Sequence, residues 1–272
     1  MLNSSAQAAL YDVMITVPST AAGLIRRFFA ACMRFALPCR CALCDALSPE
    51  PVCSACIRAH WPEPSAGCAR CVQCAYPLDM NPRPESGSAP LCGQCISAPP
   101  AFDATLALAD YAAPLDTLVL ALKFRSQLTL AHVFAQRLAA QVQRTVPNPD
   151  TDPDFITPVP LSKHRLITRG YNQAWEIARP LARALGLHAH PALLERIVDT
   201  PPQQKLSAKA RHRNMRRVFA LPRAHRAIVR GRHIAVVDDV ITSGATLESV
   251  ARVLKRAGAA RVTNWVVLRT PK

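Results

Sequence analysis

No cysteine follows Cys95, and no acidic side chain lies between Lys205 and Arg232. Nowhere do roughly 20 apolar residues run together, the length a helical membrane span needs. A helix crossing a bilayer is therefore excluded. The apolar run over 24–35 carries Arg26, Arg27 and Arg34 inside its pattern and lacks the positive start and clean apolar stretch of an export signal. It reads as a short amphipathic helix docking on the body or on a partner, with a peripheral membrane contact as the alternative. The expected location is the cytoplasm. No G-x-G-x-x-G follows a strand and no Gly-Lys-Thr arrangement occurs, so the common dinucleotide and P-loop sites are excluded as well.

What is present is enough for a real core, since 50% of the 272 residues are hydrophobic. The net charge is +15, yet residues 1–100 hold seven basic and six acidic side chains, so nearly all the excess lies beyond residue 100. That asymmetry points the C-terminal two-thirds toward anions, whether phosphorylated small molecules, nucleic acid or a membrane surface; solubility alone is the plainer reading.

Organisation changes along the chain. Residues 1–38 form the amphipathic N-terminal segment, 39–100 a proline-rich module holding ten of the eleven cysteines, and 101–272 an α/β domain. In the last, short apolar runs alternate with helical periodicity, the pattern of a parallel sheet. Residues 105–109 read as a strand, 115–122 and 128–142 as helices, the second with Leu130, Phe134, Leu138 and Val142 on one stripe. The breaker cluster 147–153 is a loop. Residues 155–160 run from strand into loop, and 173–185 form a helix closed by Gly186, kinked at Pro180. The clearest unit is strand 234–237, a loop, helix 247–257 with Leu247, Val250, Ala251 and Leu254 on one face, Gly258 as stop, and strand 262–268.

Four Cys-x-x-Cys pairs stand out: Cys41 with Cys44, Cys53 with Cys56, Cys71 with Cys74, and Cys92 with Cys95. Two residues between thiolates let both sulfurs of a tight turn face one tetrahedral metal, and two such turns close a four-cysteine site. Two structural zinc ions are expected. A disulfide framework needs an oxidising compartment, and a redox pair needs a strand-to-helix junction, so both are weaker alternatives. Cys32, Cys39 and Cys68 are left over; Cys39 could replace Cys41, and Cys68 could displace Cys74.

The segment Val236-Val237-Asp238-Asp239-Val240-Ile241-Thr242-Ser243-Gly244-Ala245-Thr246 places two carboxylates at the end of an apolar strand before a Thr/Ser/Gly turn that opens a helix. Free N–H groups of such a turn cradle a phosphate, helped by the hydroxyls of Thr242, Ser243 and Thr246. Asp238 and Asp239 can then accept hydrogen bonds from vicinal ribose hydroxyls. As mere caps they would leave two charges at a buried strand end unexplained.

This segment resembles the motif of type I phosphoribosyltransferases that binds 5-phosphoribosyl-1-pyrophosphate (PRPP). The order of the cysteine modules, Tyr111, Pro114-Leu115, Leu122-Lys123-Phe124-Arg125, Val159-Pro160-Leu161, Arg165 and Arg169-Gly170-Tyr171-Asn172-Gln173 is similar to the competence protein F (ComF) family. Gln203, Leu206, Arg211, Arg213, Asn214 and Phe219 continue the similarity, which covers almost everything from Cys41 to Arg269. The resemblance implies a type I phosphoribosyltransferase-like α/β domain behind a small zinc-binding module. It further implies a role in natural transformation, where single-stranded DNA enters the cytoplasm and proteins of the uptake machinery are candidate partners. PRPP, with an accompanying Mg2+ ion, is the implied ligand. Asp45 and Ala75 stand where the metal-binding turn of the family often has glycine.

Lys163, Arg165 and Arg169 precede a helix after a strand, a position suited to pyrophosphate; Lys123 could reach the same pocket or merely favour its own helix end. A solvated basic loop is the plainer account. Between Lys205 and Arg232 ten basic residues occur without an acid, in a segment resembling the hood loop of phosphoribosyltransferases. Lys205, Lys209, Arg211, Arg213, Arg216 and Arg217 are candidate contacts to single-stranded DNA, with a solvated hairpin as the alternative. Two functions compete: transfer of a phosphoribosyl group with release of pyrophosphate, as in nucleotide or base metabolism without a DNA role, or a PRPP-binding protein that serves DNA uptake. No residue identifies an acceptor or a catalytic base.

Overall fold

In the computed structural model the described residues are 38–61, 69–78, 89–145, 152–198 and 218–271. The expected N-terminal amphipathic helix, Cys32, Cys68 and all six candidate DNA-contact residues lie outside them. The chain divides into two compact units, Met1–Glu63 with Ala113–Val133, and Pro64–Ala112 with Phe134–Lys272. One cysteine quartet falls in each.

The first unit opens with a minimal hairpin, β1 (Cys39–Arg40) against β2 (Leu47–Ser48), followed by helix α1 (Ser54–His60). The second unit repeats the device with β3 (Ala69–Arg70) against β4 (Pro77–Leu78) and helix α2 (Gly93–Ser97). The two hairpins share their internal bonds: Cys41 N–H to Ala46 O and Asp45 N–H to Cys41 O in one, Cys71 N–H to Tyr76 O and Ala75 N–H to Cys71 O in the other. Asp45 and Ala75 sit at φ 61° and 56°, the left-handed region where glycine is usual.

One exchange separates the copies. Arg40 donates to the Asp45 carbonyl at 3.1 Å and to its carboxylate at 2.8 Å. Arg70 donates to the Ala75 carbonyl at 3.1 Å, but alanine offers no carboxylate, and the guanidinium reaches Asp110 at 2.8 Å. The second hairpin is thereby tied to the main sheet, helped by Thr105 N–H donating to Val72 O at 2.9 Å.

That sheet has five strands, all parallel, in the order β5 (Ala104–Asp110), β11 (Arg261–Arg269), β10 (His233–Ile241), β6 (Phe155–Pro158), β7 (His188–Ala189). Ile234, Ala235, Val236 and Val237 are fully buried, as a central parallel strand requires. Helix α3 (Leu115–Phe124) carries Lys123 in its last turn, and α4 (Thr129–Thr145) buries Leu130, Phe134, Leu138 and Val142. After β6 come α5 (Lys163–Arg169) and α6 (Gln173–Leu185), the latter running through Pro180 as one element. A third antiparallel pair joins β8 (Glu195–Arg196) to β9 (Phe219–Ala220). Short helix α7 (Arg226–Val229) precedes β10, and α8 (Ala245–Arg256) links β10 to β11, burying Leu247, Val250, Ala251 and Leu254. Among the described residues no helix is long and apolar enough to cross a membrane.

Candidate functional site

A parallel sheet presents its ligand crevice where neighbouring strands send their connections in opposite directions, outside the carboxyl ends. Here β6 continues outward to β7, whereas β10 continues the other way to β11. The crevice therefore opens at the ends of β6 and β10, and the two segments expected to hold anions are the connections that leave those ends.

Strand β10 is longer than the sequence suggests. It runs through both acids to Ile241, because β11 keeps pairing with it, Asp238 opposite Val266 and Ile241 opposite Arg269. Pairing with β6 stops at Val237 opposite Pro158, with Val159 N–H donating to Val237 O at 2.9 Å. Asp238 and Asp239 thus stand just past the end of β6, on the crevice side of the ladder. Asp239 is 3% exposed and Asp238 half-buried, and the Asp239 N–H donates to the Asp238 carboxylate at 2.9 Å.

The turn follows at once. Gly244 caps α8 at φ 79°, ψ −2°, a conformation a side-chain-bearing residue resists, and as glycine it brings no capping side chain of its own. Thr242 and Ser243 are exposed, Ala245 and Thr246 half-buried. Ser243 Oγ takes the Ala245 N–H at a long 3.4 Å. The first-turn amides and hydroxyls are thus arrayed at the positive end of a 12-residue helix.

Across the crevice, Ser162 caps α5 by accepting from Arg165 N–H at 3.3 Å, and Gly170 ends it in the left-handed region. The sequence suggested an irregular loop here; the short helix has no buried residue to betray it. Lys163 and Arg165 are exposed, while half-buried Arg169 donates to Gln173 Oε1. Asn172 fixes the connection twice, its amide donating to Val159 O at 3.0 Å and its oxygen capping α6 at Ala174 N–H at 3.0 Å. Lys123 lies in the other unit.

The cysteines gather into two quartets, Cys41, Cys44, Cys53 and Cys56, and Cys71, Cys74, Cys92 and Cys95, with all sulfurs of a quartet within 4.8 Å of one another. Cys39 belongs to neither. A tetrahedral ion with metal–sulfur bonds near 2.3 Å sets sulfurs about 3.8 Å apart, whereas a disulfide needs about 2.05 Å. Cys44 and Cys53 are 3.7 Å apart and Cys74 and Cys92 3.6 Å apart, so the spacing fits a metal and excludes a bridge between those pairs. Burial pushes the Cys41 thiol up, but N–H donors from Cys53, Cys44 and Leu43 outweigh it and bring it down to about 6; Cys56, bonded to Cys44 and then penalised by burial, is pushed up to about 12. Burial likewise opposes ionisation of Cys92, which the Cys95 N–H and the neighbouring thiols still bring to about 7, while burial drives Cys95 upward. In each quartet one sulfur ionises readily and another resists, as expected of four like groups crowding negative charge that a bound cation would relieve.

Sequence reasoning passed over one residue of this region. Arg269, the last residue of β11 and 2% exposed, donates from Nε to Cys74 O at 3.0 Å and from Nη1 to Ile241 O at 3.3 Å, to Thr270 O at 2.7 Å and to Thr242 O. A basic residue closing a strand reads as solvated, and no local pattern marks it otherwise.

The family description "Phosphoribosyl transferase domain" matches residues 174–272, from the start of α6 through the β10–α8 turn to the end. The DNA utilization protein YhgH of Escherichia coli K12 is 34% identical over 238 residues, covering 86% of this chain and 98% of that protein. Its Salmonella typhi counterpart is 35% identical over 240 residues, with the same coverage. Competence protein F of Haemophilus influenzae is 32% identical over 179 residues, 65% of this chain and 78% of that protein.

Proposed function

The chain belongs to the competence protein F family of phosphoribosyltransferase-like proteins, and from that premise we propose that it binds PRPP in the β6–β10 crevice and serves the cytoplasmic handling of single-stranded DNA in natural transformation. The observation that carries the reading is the stack of parts at one switch point: two acids past the end of β6, then an amide-rich turn opening α8. In this reading Asp238 and Asp239 accept the ribose hydroxyls. Thr242, Ser243 and Thr246, with the amides of Gly244 and Ala245, hold the 5-phosphate. Lys163, Arg165 and Arg169 balance the pyrophosphate. In this reading a Mg2+ ion would accompany the pyrophosphate.

Each cysteine quartet takes one zinc ion in a closed structural site, supported by the sulfur spacing and by four thiolate donors that leave no position for water. If the protein is an enzyme, an acceptor forms a bond to C1 of the ribose as the bond to pyrophosphate breaks. The basic side chains then stabilise the departing charge, and positioning supplies most of the rate.

The DNA part of the proposal draws on what the relatives' names say of those proteins and on the acid-free basic strip from Lys205 to Arg232. Its test is a single variant with Lys205, Lys209, Arg211, Arg213, Arg216 and Arg217 changed to Gln, titrated with PRPP and with single-stranded DNA at two salt concentrations. DNA affinity should lose its steep salt dependence while PRPP binding survives. Weaker PRPP with DNA binding intact would make the strip a hood over the pyrophosphate and remove it from the DNA account. Isotope-labelled PRPP offered with bases, amines and single-stranded DNA separates enzyme from binding protein by whether a labelled product forms.

A further inference from the structure

A buried guanidinium is stable only while hydrogen-bond acceptors surround it, so whatever supplies those acceptors becomes mechanically linked. Arg269 takes its acceptors from two places. Its Nε is held by the carbonyl of Cys74, a member of the second quartet, at 3.0 Å. Its Nη1 is held by the carbonyls of Ile241 and Thr242, the last residue of β10 and the first of the turn, and by Thr270 O at 2.7 Å. The Tyr76 ring, two residues after Cys74, lies 5.8 Å from the guanidinium carbon. Among the described residues no carboxylate pairs with this cation; backbone oxygens carry it.

The same hairpin is fastened to the same corner of the sheet by two further bonds. Arg70 reaches Asp110, the residue opposite Arg269 in the β5–β11 ladder, and Val72 O accepts from Thr105 N–H. The Cys71–Cys74 turn keeps Ala75 at φ 56°, a conformation that the ligation of Cys71 and Cys74 by a common ion would hold and that an alanine would otherwise tend to leave. Release of that turn would withdraw the Cys74 carbonyl and leave one donor of a buried cation unmet.

We propose that Arg269 is a positioning residue that couples the second four-cysteine site to the turn at Thr242, so that metal at that site sets the order of the turn and its affinity for PRPP. The coupling rests on the phosphoribosyl reading of the turn only for its ligand; the effect on the turn itself stands apart from any ligand. It is reciprocal: PRPP in the turn raises the affinity for the second metal, not for the first.

The test uses the full chain. Cys95→Ser opens the second quartet without touching Cys74, Cys56→Ser opens the first, and Arg269→Lys keeps a buried cation whose single ammonium cannot span both sets of carbonyls. Amide hydrogen exchange over residues 241–246 is read without ligand, metal content by elemental analysis, and PRPP affinity by calorimetry. Cys95→Ser and Arg269→Lys should each speed exchange in that segment and weaken PRPP roughly 5- to 150-fold, the range of measured couplings. Arg269→Lys should keep both metals, and Cys56→Ser should leave exchange in the turn where it was. Unaltered exchange in Cys95→Ser after verified loss of the second metal overturns the coupling, as does an equal response to Cys56→Ser. Should Cys95→Ser fail to fold, Arg269→Lys decides alone, and wild-type exchange in it sinks the idea. Exchange that follows the pattern in a protein that binds no PRPP would uphold the coupling and refute the ligand.

Discussion

Replacing Gly244 with alanine tests the phosphate turn through its backbone, leaving every proposed side-chain contact in place. Gly244 sits at φ 79°, and a Cβ built there meets Ile241 Cδ1 at 3.7 Å, an ordinary van der Waals distance. No clash arises, so the penalty is the left-handed conformation, about 1–2 kcal/mol. The reduced freedom of the unfolded chain offsets about 0.4–1 kcal/mol of that. A net loss of about 1 kcal/mol should lower the unfolding midpoint of the unit by about 2–4 °C. Ligand binding should suffer more. If the backbone relaxes toward negative φ, the amides of Gly244 and Ala245 turn away from the phosphate, and one charge-assisted hydrogen bond is worth about 1.5–3 kcal/mol. PRPP affinity should then fall roughly 10- to 150-fold. Differential scanning calorimetry and PRPP titration on the same preparation read both effects. Unchanged affinity beside the expected small drop in midpoint would mean that no phosphate sits in this turn.

Further outcomes follow from other parts of the molecule. Asp154, at the start of β6, accepts from Arg232 at 2.6 Å and from His233 N–H at 2.8 Å; burial pushes its pKa up, but those donors outweigh it and hold the carboxyl below its usual range. A depressed folded value means stability present above the unfolded pKa of about 3.9 and lost as pH falls through the folded one. Asp154→Asn should therefore cost about 1 kcal/mol at neutral pH, the pair being partly exposed, and should flatten the acid limb of a melting-point profile below about pH 4. An unaltered acid limb would assign that loss to other groups. Purified under reducing conditions, the protein should carry two zinc ions, and Cys56→Ser and Cys95→Ser should each carry one; metal-free folded protein would remove zinc from the account.

The sequence made some of this arrangement plain. Helix α6 spans the expected residues because both its ends carry local signals, Asn172 as the capping side chain and Gly186 in the left-handed region. Helix α8 and the strands beside it were legible from apolar periodicity, since their buried faces are written into neighbouring residues. Helix α5 was not, because all its contacts with solvent leave no apolar stripe to read. Strand β10 ran past its expected end at Val237 through two acids of poor strand propensity, held by a ladder to β11 that only the fold supplies. Arg269 and the Arg70–Asp110 pair were invisible for a related reason. Their partners lie far off in sequence, Cys74 195 positions from Arg269 and Asp110 40 from Arg70, and periodicity carries no record of such contacts.

The claim on which the rest depends is that Asp238, Asp239 and the turn after them hold a phosphorylated ribose. Calorimetric titration of PRPP into wild-type protein and into Asp238→Ala/Asp239→Ala protein, each first shown to melt cooperatively, tests it most directly. Saturable binding by the wild type and none by the variant is the predicted result. Equal binding by both, or none by a folded, metal-loaded wild type, would contradict it.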